Sequence, residues 1–163
     1  MPESCTVYYE SPIGFLEIAG SRAGVSSVSF VGARAPRRGR GAKAAPPAPV
    51  AACLRQIDEY FRGGRRTFSV KLDLRGTDFQ MKVWKALRAV GFGRTASYKA
   101  IAAAVGRPAA TRAVGGANHA NPVAIVVPCH RIVGSDGRLT GYGAGVWRKD
   151  WLLRHEGHDN LKI

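Results

Sequence analysis

SYKAIAAAVGRPAATRAVGGAN, residues 97 to 118, decides how the second half of this chain folds. A helix is predicted to begin near Ser97 with Tyr98, Ile101, Ala102 and Val105 turned inward, and Gly106 stops it. Pro108 suits the first turn of a second helix over 109–118. Two short helices across a glycine turn make a helix-turn-helix. A helix that reads the major groove presents Arg, Asn or Gln to base edges. This one offers a single Arg112 among Thr111, Ala113, Gly115 and Gly116. Such a helix can approach a backbone closely, and its lone Arg can enter a duplex as a wedge. The plainer alternative is that Gly115-Gly116 only permits tight helix packing.

Upstream, Thr77-Asp78-Phe79-Gln80 has the capping-box arrangement, in which hydroxyl and amide three residues apart satisfy orphan N–H groups. The helix it opens carries Phe79, Val83, Leu87 and Val90 on one face. A second domain therefore begins at 77. Before it, alternating residues predict strands over 6–9, 15–18 and 25–30, with a turn at Ser11-Pro12-Ile13-Gly14. Val50, Leu54, Ile57 and Phe61 recur at helical spacing, and Gly63-Gly64 ends that pattern. Residues 68–74 read as one more short strand or a linker. The fold class is α+β: a small N-terminal antiparallel-sheet domain with a helix over 1–76, then a mainly helical helix-turn-helix domain over 77–163. Residues 32–49 lose all periodicity and hold Arg34, Arg37, Arg38, Arg40 and Lys43 among Gly, Ala and Pro. They predict a mobile basic loop, which we take as an arm for DNA phosphates outside the site.

Lys and Arg outnumber Asp and Glu by 25 to 11, a formal charge of +14. That excess points to a polyanionic partner, nucleic acid ahead of an anionic membrane, because no basic amphipathic helix stands out. The start lacks a basic and an apolar leader region, and no apolar run reaches membrane-spanning length. The expected location is the cytoplasm, on the nucleoid in a bacterium. Cys5, Cys53 and Cys129 are odd in number and show no CxxC spacing. A disulfide framework and a Cys-rich zinc site are disfavoured, and a free thiol is the natural inference.

That thiol stands in VVPCHRIV, residues 126–133, where Pro128 stops what reads as an apolar strand just before Cys129-His130-Arg131. A buried Cys is commonly a small hydrophobe. It becomes a nucleophile when a base or a positive neighbour favours the thiolate. His130 is the obvious base, or else a structural imidazole. Adjacent residues in a strand point to opposite faces, so the pair needs a bend at Pro128 or a bridging water. Asp136, Asp150, Glu156 and Asp159 all could orient the ring, and local spacing does not choose. His155-Glu156-Gly157-His158 lacks the four-residue spacing of a zinc helix and reads as a helix end. Gly141-Tyr142-Gly143-Ala144-Gly145 lacks the Lys-Ser/Thr of a phosphate loop and reads as a substrate loop.

Pro128-Cys129-His130-Arg131, together with Asn121-Pro122-Val123, Arg112-Ala113-Val114-Gly115-Gly116-Ala117 and the run from Arg148 to Gly157, resembles the O6-alkylguanine-DNA alkyltransferase family. The likeness is close over 77–157 and looser before it, where Ser11-Pro12-Ile13-Gly14 carries it. It implies single-turnover, direct-reversal DNA repair, in which Cys129 takes the alkyl group from O6 of a flipped-out guanine, or less readily from O4 of thymine. His130 would remove the thiol proton through a water and Glu156 would orient the imidazole. Tyr98 would protonate the departing guanine at N3 and crowd its phosphate. Arg112 would fill the gap left by the base, with Thr111, Ala113 and Gly115 on the DNA. Asn121 would brace the turn before the active site. The carbonyls of Cys129 and Ile132 would receive the guanine amino group, and Tyr142 with the Gly143 amide would close around O6.

The implied partner is double-stranded DNA containing O6-alkylguanine, met by a monomer, with cooperative binding along DNA as an open alternative, and with no membrane and no cofactor. Some relatives hold an N-terminal zinc, yet Cys5 has no matching second Cys and no His precedes His119, so no metal is expected. Three rivals stand beside this. A non-catalytic alkyl-lesion-binding protein would lack the acceptor Cys. A thiol-based DNA-binding regulator should show base-reading side chains. A Cys-His hydrolase would leave the basic excess and the helix-turn-helix unexplained.

Overall fold

Alternation in the first thirty residues builds a three-stranded antiparallel sheet of β1 (Cys5–Ser11), β2 (Gly14–Ser21) and β3 (Gly24–Gly32) in the order β1-β2-β3. The computed structural model describes residues 3–32 and 44–162. The five cations of the expected basic loop therefore lie outside the described residues. The loop's far end is shorter than expected, because 48 and 49 already belong to helix α1 (Ala48–Phe61), with a proline in its first turn where no N–H is missed. At the first hairpin Ser11 faces Gly14, and the Ser11 hydroxyl donates to the Gly14 carbonyl at 2.6 Å while accepting from the Ile13 N–H.

Leu16 and Ile18 of β2 and Val25 and Val28 of β3 are buried, and α1 lies across the sheet. Its inward stripe is Val50, Cys53, Ile57, Tyr60 and Phe61. Leu54, expected inward, is only half-buried, because Cys53 and Tyr60 shift the stripe to one side of it. Residues 68–74 run extended beside β3. The Val25 N–H donates to the Lys71 carbonyl at 2.8 Å and the Asp73 N–H returns to the Val25 carbonyl at 2.8 Å. The chain divides into two compact units, Met1–Leu74 and Arg75–Ile163.

In the second unit both halves of the capping box form. Gln80 N–H donates to Thr77 Oγ1 at 3.1 Å and Thr77 N–H donates to Gln80 Oε1 at 3.0 Å. They start α2 (Asp78–Arg88), which buries Val83, Trp84 and Leu87. Val90 falls beyond the end of this helix. Strand β4 (Ala96–Ser97) leads into α3 (Tyr98–Ala104), where the Ser97 hydroxyl accepts from the Ala100 N–H at 3.0 Å. Helix α4 (Thr111–His119) begins at Thr111 rather than 109. The reason is a turn closed by the Ala110 N–H on the Arg107 carbonyl, which uses Pro108 and Ala109 outside the helix. Trp84 Nε1 donates to the Ala117 carbonyl at 2.8 Å and so ties α2 to α4.

A Cβ on Gly76 would lie 2.6 Å from the Trp84 ring and 2.8 Å from Gln80 Oε1. Gly76→Ala must therefore displace a buried indole or the cap. Overpacking of this kind costs about 1–3 kcal/mol. Urea unfolding should show a loss in that range, and an unchanged midpoint would mean the contact relaxes freely.

Two expectations change here. A Cβ on Gly116 would meet nothing within 4 Å, and one on Gly115 only the Tyr98 ring at 4.0 Å. Tight helix packing is therefore not what these glycines serve. The apolar run before Cys129 is also not a strand but a chain of tight turns. Val127 N–H reaches the Val123 carbonyl at 3.0 Å, Val126 N–H the Ala124 carbonyl at 2.8 Å and Cys129 N–H the Val127 carbonyl at 2.8 Å. The Asn121 amide holds the turn from both ends, donating to the Val127 carbonyl at 2.8 Å and accepting from the Val123 N–H at 3.0 Å. Ile125 is forced to φ +71°, a left-handed conformation that is strained for a β-branched side chain. Extended pairing resumes only at β5 (Ile132–Val133), parallel to β4. Helix α5 (Val146–His155) closes the unit.

Candidate active site

Cys129 opens a single 3-10 turn, Cys129–Arg131, that continues directly into β5. The tight turns before it and the short strand after it fix the turn at both ends. In a 3-10 turn successive side chains splay by about a third of a circle rather than alternate faces. The adjacency of thiol and imidazole is thus less awkward than a strand would make it.

Helix α5 supplies the carboxylate. Lys149, Leu152, Leu153 and Glu156 fall at helical spacing and all are buried, Glu156 being the residue that caps the helix. The His130 Nε2 lies 2.9 Å from Glu156 Oε2, with both side chains sealed from solvent. Arg131 lies against the same carboxylate, Nε to Oε1 at 2.7 Å and Nη2 to Oε1 at 2.6 Å, and its Nη1 donates to the Val90 carbonyl at 2.7 Å. Burial alone would push Glu156 up, but His130 and Arg131 together hold its carboxyl below the ordinary value. Burial holds His130 below the ordinary imidazole value despite the pull of Glu156. A carboxylate only accepts hydrogen bonds, so Nε2 carries the proton and Nδ1 presents its lone pair. That Nδ1 is buried with no hydrogen-bond partner among the described residues.

Two of the three cysteines are buried, and their surroundings differ. Burial by itself pushes Cys53 up to about 12. It raises Cys129 too, but there the Asn121 side chain, the Lys149 charge and the Tyr142 side chain all pull the thiol back down. Cys129 is the thiol with help toward ionisation; Cys5 is half-buried at the start of β1.

The structure places Cys129, His130, Glu156, Asn121 and Tyr142 together. The Cys129 carbonyl accepts from the Ile132 N–H and, at 3.4 Å, from Asn118 Nδ2. The Ile132 carbonyl accepts from Lys149 Nζ. Tyr98 connects to this group through Thr140: its hydroxyl lies 2.8 Å from Thr140 Oγ1, and the Thr140 carbonyl accepts from Lys149 Nζ at 3.4 Å. A Cβ on Gly143 would lie 3.5 Å from the His119 ring, so the loop carrying Tyr142 and Gly143 rests against the end of α4. Thr111, Arg112 and Ala113 are exposed on the first turn of α4, with Gly116 exposed one turn on and Gly115 half-buried.

Of the four acidic candidates, Asp136 pairs with Arg138 and Asp150 with Arg154 at the surface, while Glu156 reaches His130. His155 stacks on Trp151 and Gly157 takes φ +100°, a helix end as expected. Among the described residues no group of three or more His, Cys, Asp or Glu is placed to hold a metal ion. No helix among them is long and apolar enough to cross a membrane. Sequence reading missed Arg131 and Lys149. The signal for Lys149 was present: it occupies the first position of the stripe that continues through Leu152, Leu153 and Glu156.

Residues 78–158 match the DNA binding domain of 6-O-methylguanine DNA methyltransferase, and residues 5–74 match the ribonuclease-like domain of the same family. A methylated-DNA–protein-cysteine methyltransferase of Methanosarcina barkeri is 42% identical over 96% of this chain and 100% of its own length. One from Mycobacterium bovis is 45% identical over 90% of this chain and 88% of its own. The crystal structure of Mycobacterium tuberculosis O6-methylguanine methyltransferase superposes with a TM-score of 0.81 at 43% identity, covering 94% of this chain and 93% of that one. The Mycobacterium tuberculosis protein in complex with DNA gives 0.78 at 44% identity, over 91% and 90%. A buried thiol with a histidine-carboxylate relay behind a helix-turn-helix is the architecture of a DNA-directed alkyl acceptor. The chain belongs to the 6-O-methylguanine DNA methyltransferase family.

Proposed function

We infer that this protein repairs DNA by direct reversal, moving a methyl or other alkyl group from O6 of guanine to its own Cys129, once per molecule. The observation that carries the reading is the buried His130–Glu156 pair directly beside Cys129, in a turn whose Cys129 carbonyl accepts from Asn118 of α4. A base inside a duplex cannot reach such a thiol, so it must be flipped out, and a lesion that weakens pairing is the cheapest to extrude. The exposed first turn of α4, small apart from Arg112, suits close approach to the groove, with Arg112 filling the vacated stack.

In the pocket, the thiol proton passes through a water to His130 Nδ1, and Glu156 stabilises the imidazolium that results. The sulfur then forms a bond to the alkyl carbon as the carbon–O6 bond breaks, and the electron pair stays with guanine. Tyr98 exchanges Thr140 for guanine N3 and donates its proton there. Tyr142 and the Gly143 amide face O6. The Ile132 carbonyl takes the guanine amino group, and the Cys129 carbonyl, which already accepts two hydrogen bonds, contributes less. The thioether product has no route back to a thiol, so the reaction is stoichiometric. DNA carrying O6-alkylguanine is the partner, and no cofactor enters any step.

Arg112→Ala separates flipping from chemistry. It should slow repair of a duplex far more than reaction with free O6-benzylguanine, because only the duplex has a stack to fill. Losing a wedge that offsets unstacking costs a few kcal/mol, or about tenfold to a few hundredfold in rate. Equal losses on both substrates, measured by single-turnover kinetics, would make Arg112 structural.

A further inference from the structure

Lys149 is fully buried on the inner stripe of α5. Its Nζ donates to the Ile132 carbonyl on one side and, at 3.4 Å, to the Thr140 carbonyl on the other. The Thr140 hydroxyl in turn meets the Tyr98 hydroxyl at 2.8 Å. Both partners of the ammonium are neutral, so they solvate its charge without cancelling it. The carboxylate about two turns on along the same stripe, Glu156, is already taken by Arg131 and His130.

Among the described residues the buried charges therefore do not balance. Glu156 is negative, Arg131 and Lys149 are positive, and His130 is neutral, which leaves one positive charge in excess. An uncompensated buried charge is costly. Ionisation of Cys129 is the event that restores neutrality. We propose that Lys149 is a positioning residue for alkyl transfer: it ties the Ile132 carbonyl to the Thr140 carbonyl and supplies the unpaired positive charge against which the Cys129 thiolate forms. This rests on the reading of Cys129 as the acceptor.

The other groups facing the sulfur are the Asn121 and Tyr142 side chains, and His130 and Arg131 share its turn. None of these brings an unpaired charge. The coupling runs both ways: burial pushes Lys149 down to about 8, and the Cys129 charge pulls it back up. The thiol proton leaves toward His130 as in the reaction above, so no further reactant is required.

The test uses the full-length protein and iodoacetamide, which alkylates Cys129 without a base in the pocket. Its rate at Cys129, followed by peptide mass against pH, gives the thiolate midpoint. In Lys149→Met that midpoint should rise by at least about one pH unit, since an opposite charge at close range is worth about 1–3 units. The rate at neutral pH should fall about tenfold for each unit. Lys149→Arg, which keeps the charge, should stay near the wild type. An unchanged midpoint in Lys149→Met, or equal shifts in both variants, overturns the proposal.

Should Lys149→Met not fold, 13C-lysine NMR decides with folded proteins. Lys149 should titrate at lower pH in Cys129→Ser than in the wild type, and equal midpoints overturn the proposal. Wild type treated with O6-benzylguanine tests the underlying reading separately: benzyl found elsewhere than Cys129 removes that reading and the proposal with it.

Discussion

Cys129→Ser should abolish alkyl transfer completely while leaving affinity for duplex DNA within about twofold. A hydroxyl is far harder to ionise than a thiol, so the lone pair on His130 Nδ1 and the nearby Lys149 charge, sufficient for a thiolate, do not generate an alkoxide. The DNA face is a different surface. Thr111, Arg112 and Ala113 are exposed on α4, whereas Cys129 is buried behind it, and phosphate and groove contacts set affinity. Transfer from a labelled duplex and a gel-shift titration on the same preparation check both halves. Cys5→Ser, at the start of β1, should change neither. Residual transfer in Cys129→Ser would place the acceptor elsewhere.

The second large effect is on stability. Glu156→Gln leaves Arg131 buried with no anion and replaces an acceptor-only carboxylate by an amide that can also donate, so the His130 tautomer is no longer fixed. Breaking a buried pair by removing one partner costs about 3–5 kcal/mol, because the remaining charge stays buried. Transfer should fall as well, since Nδ1 is no longer held unprotonated toward the thiol. The pH dependence has a defined sign. His130 and Glu156 both titrate below their ordinary values in the folded protein. The unfolded chain therefore binds more protons, and the stability these groups contribute is full above the ordinary imidazole value of about 6.5 and is lost progressively as pH falls below it. Glu156→Gln should flatten the part of this decline that belongs to the carboxylate. Thermal unfolding from pH 7 to pH 4 measures it, and a parallel curve in the variant would mean the carboxylate is not coupled to folding.

Local signals in this chain were legible where they close within a few residues. Thr77 and Gln80 form both hydrogen bonds of their capping box, Ser97 caps α3, and the hairpin at Ser11-Pro12-Ile13-Gly14 pairs Ser11 with Gly14. The start of α4 was less legible, because Pro108 suits a first helical turn and an ordinary turn equally well. Residues 123–127 misled for a clearer reason. A run of β-branched residues reads as a strand, but the Asn121 side chain satisfies the backbone at both ends and bends the run into turns.

The site followed the same division. Cys129 and His130 stand out because they interrupt an apolar stretch, and the family likeness pointed to Glu156, which the structure brings onto His130 across 26 positions. Local spacing alone gave no preference among four acids. Arg131 and Lys149 were passed over because a basic chain makes every cation look like surface. The helical spacing of Lys149 with Leu152, Leu153 and Glu156 is what separates this lysine from half-buried Arg148 and exposed Arg154 on the same helix.

The most direct measurement is to incubate the wild-type protein with excess duplex DNA bearing O6-methylguanine labelled in the methyl group, then to map the label by peptide mass. Transfer should stop at one methyl per chain, located on Cys129, with unmodified guanine left in the DNA. Continued turnover, or label on Cys5 or Cys53, would contradict it.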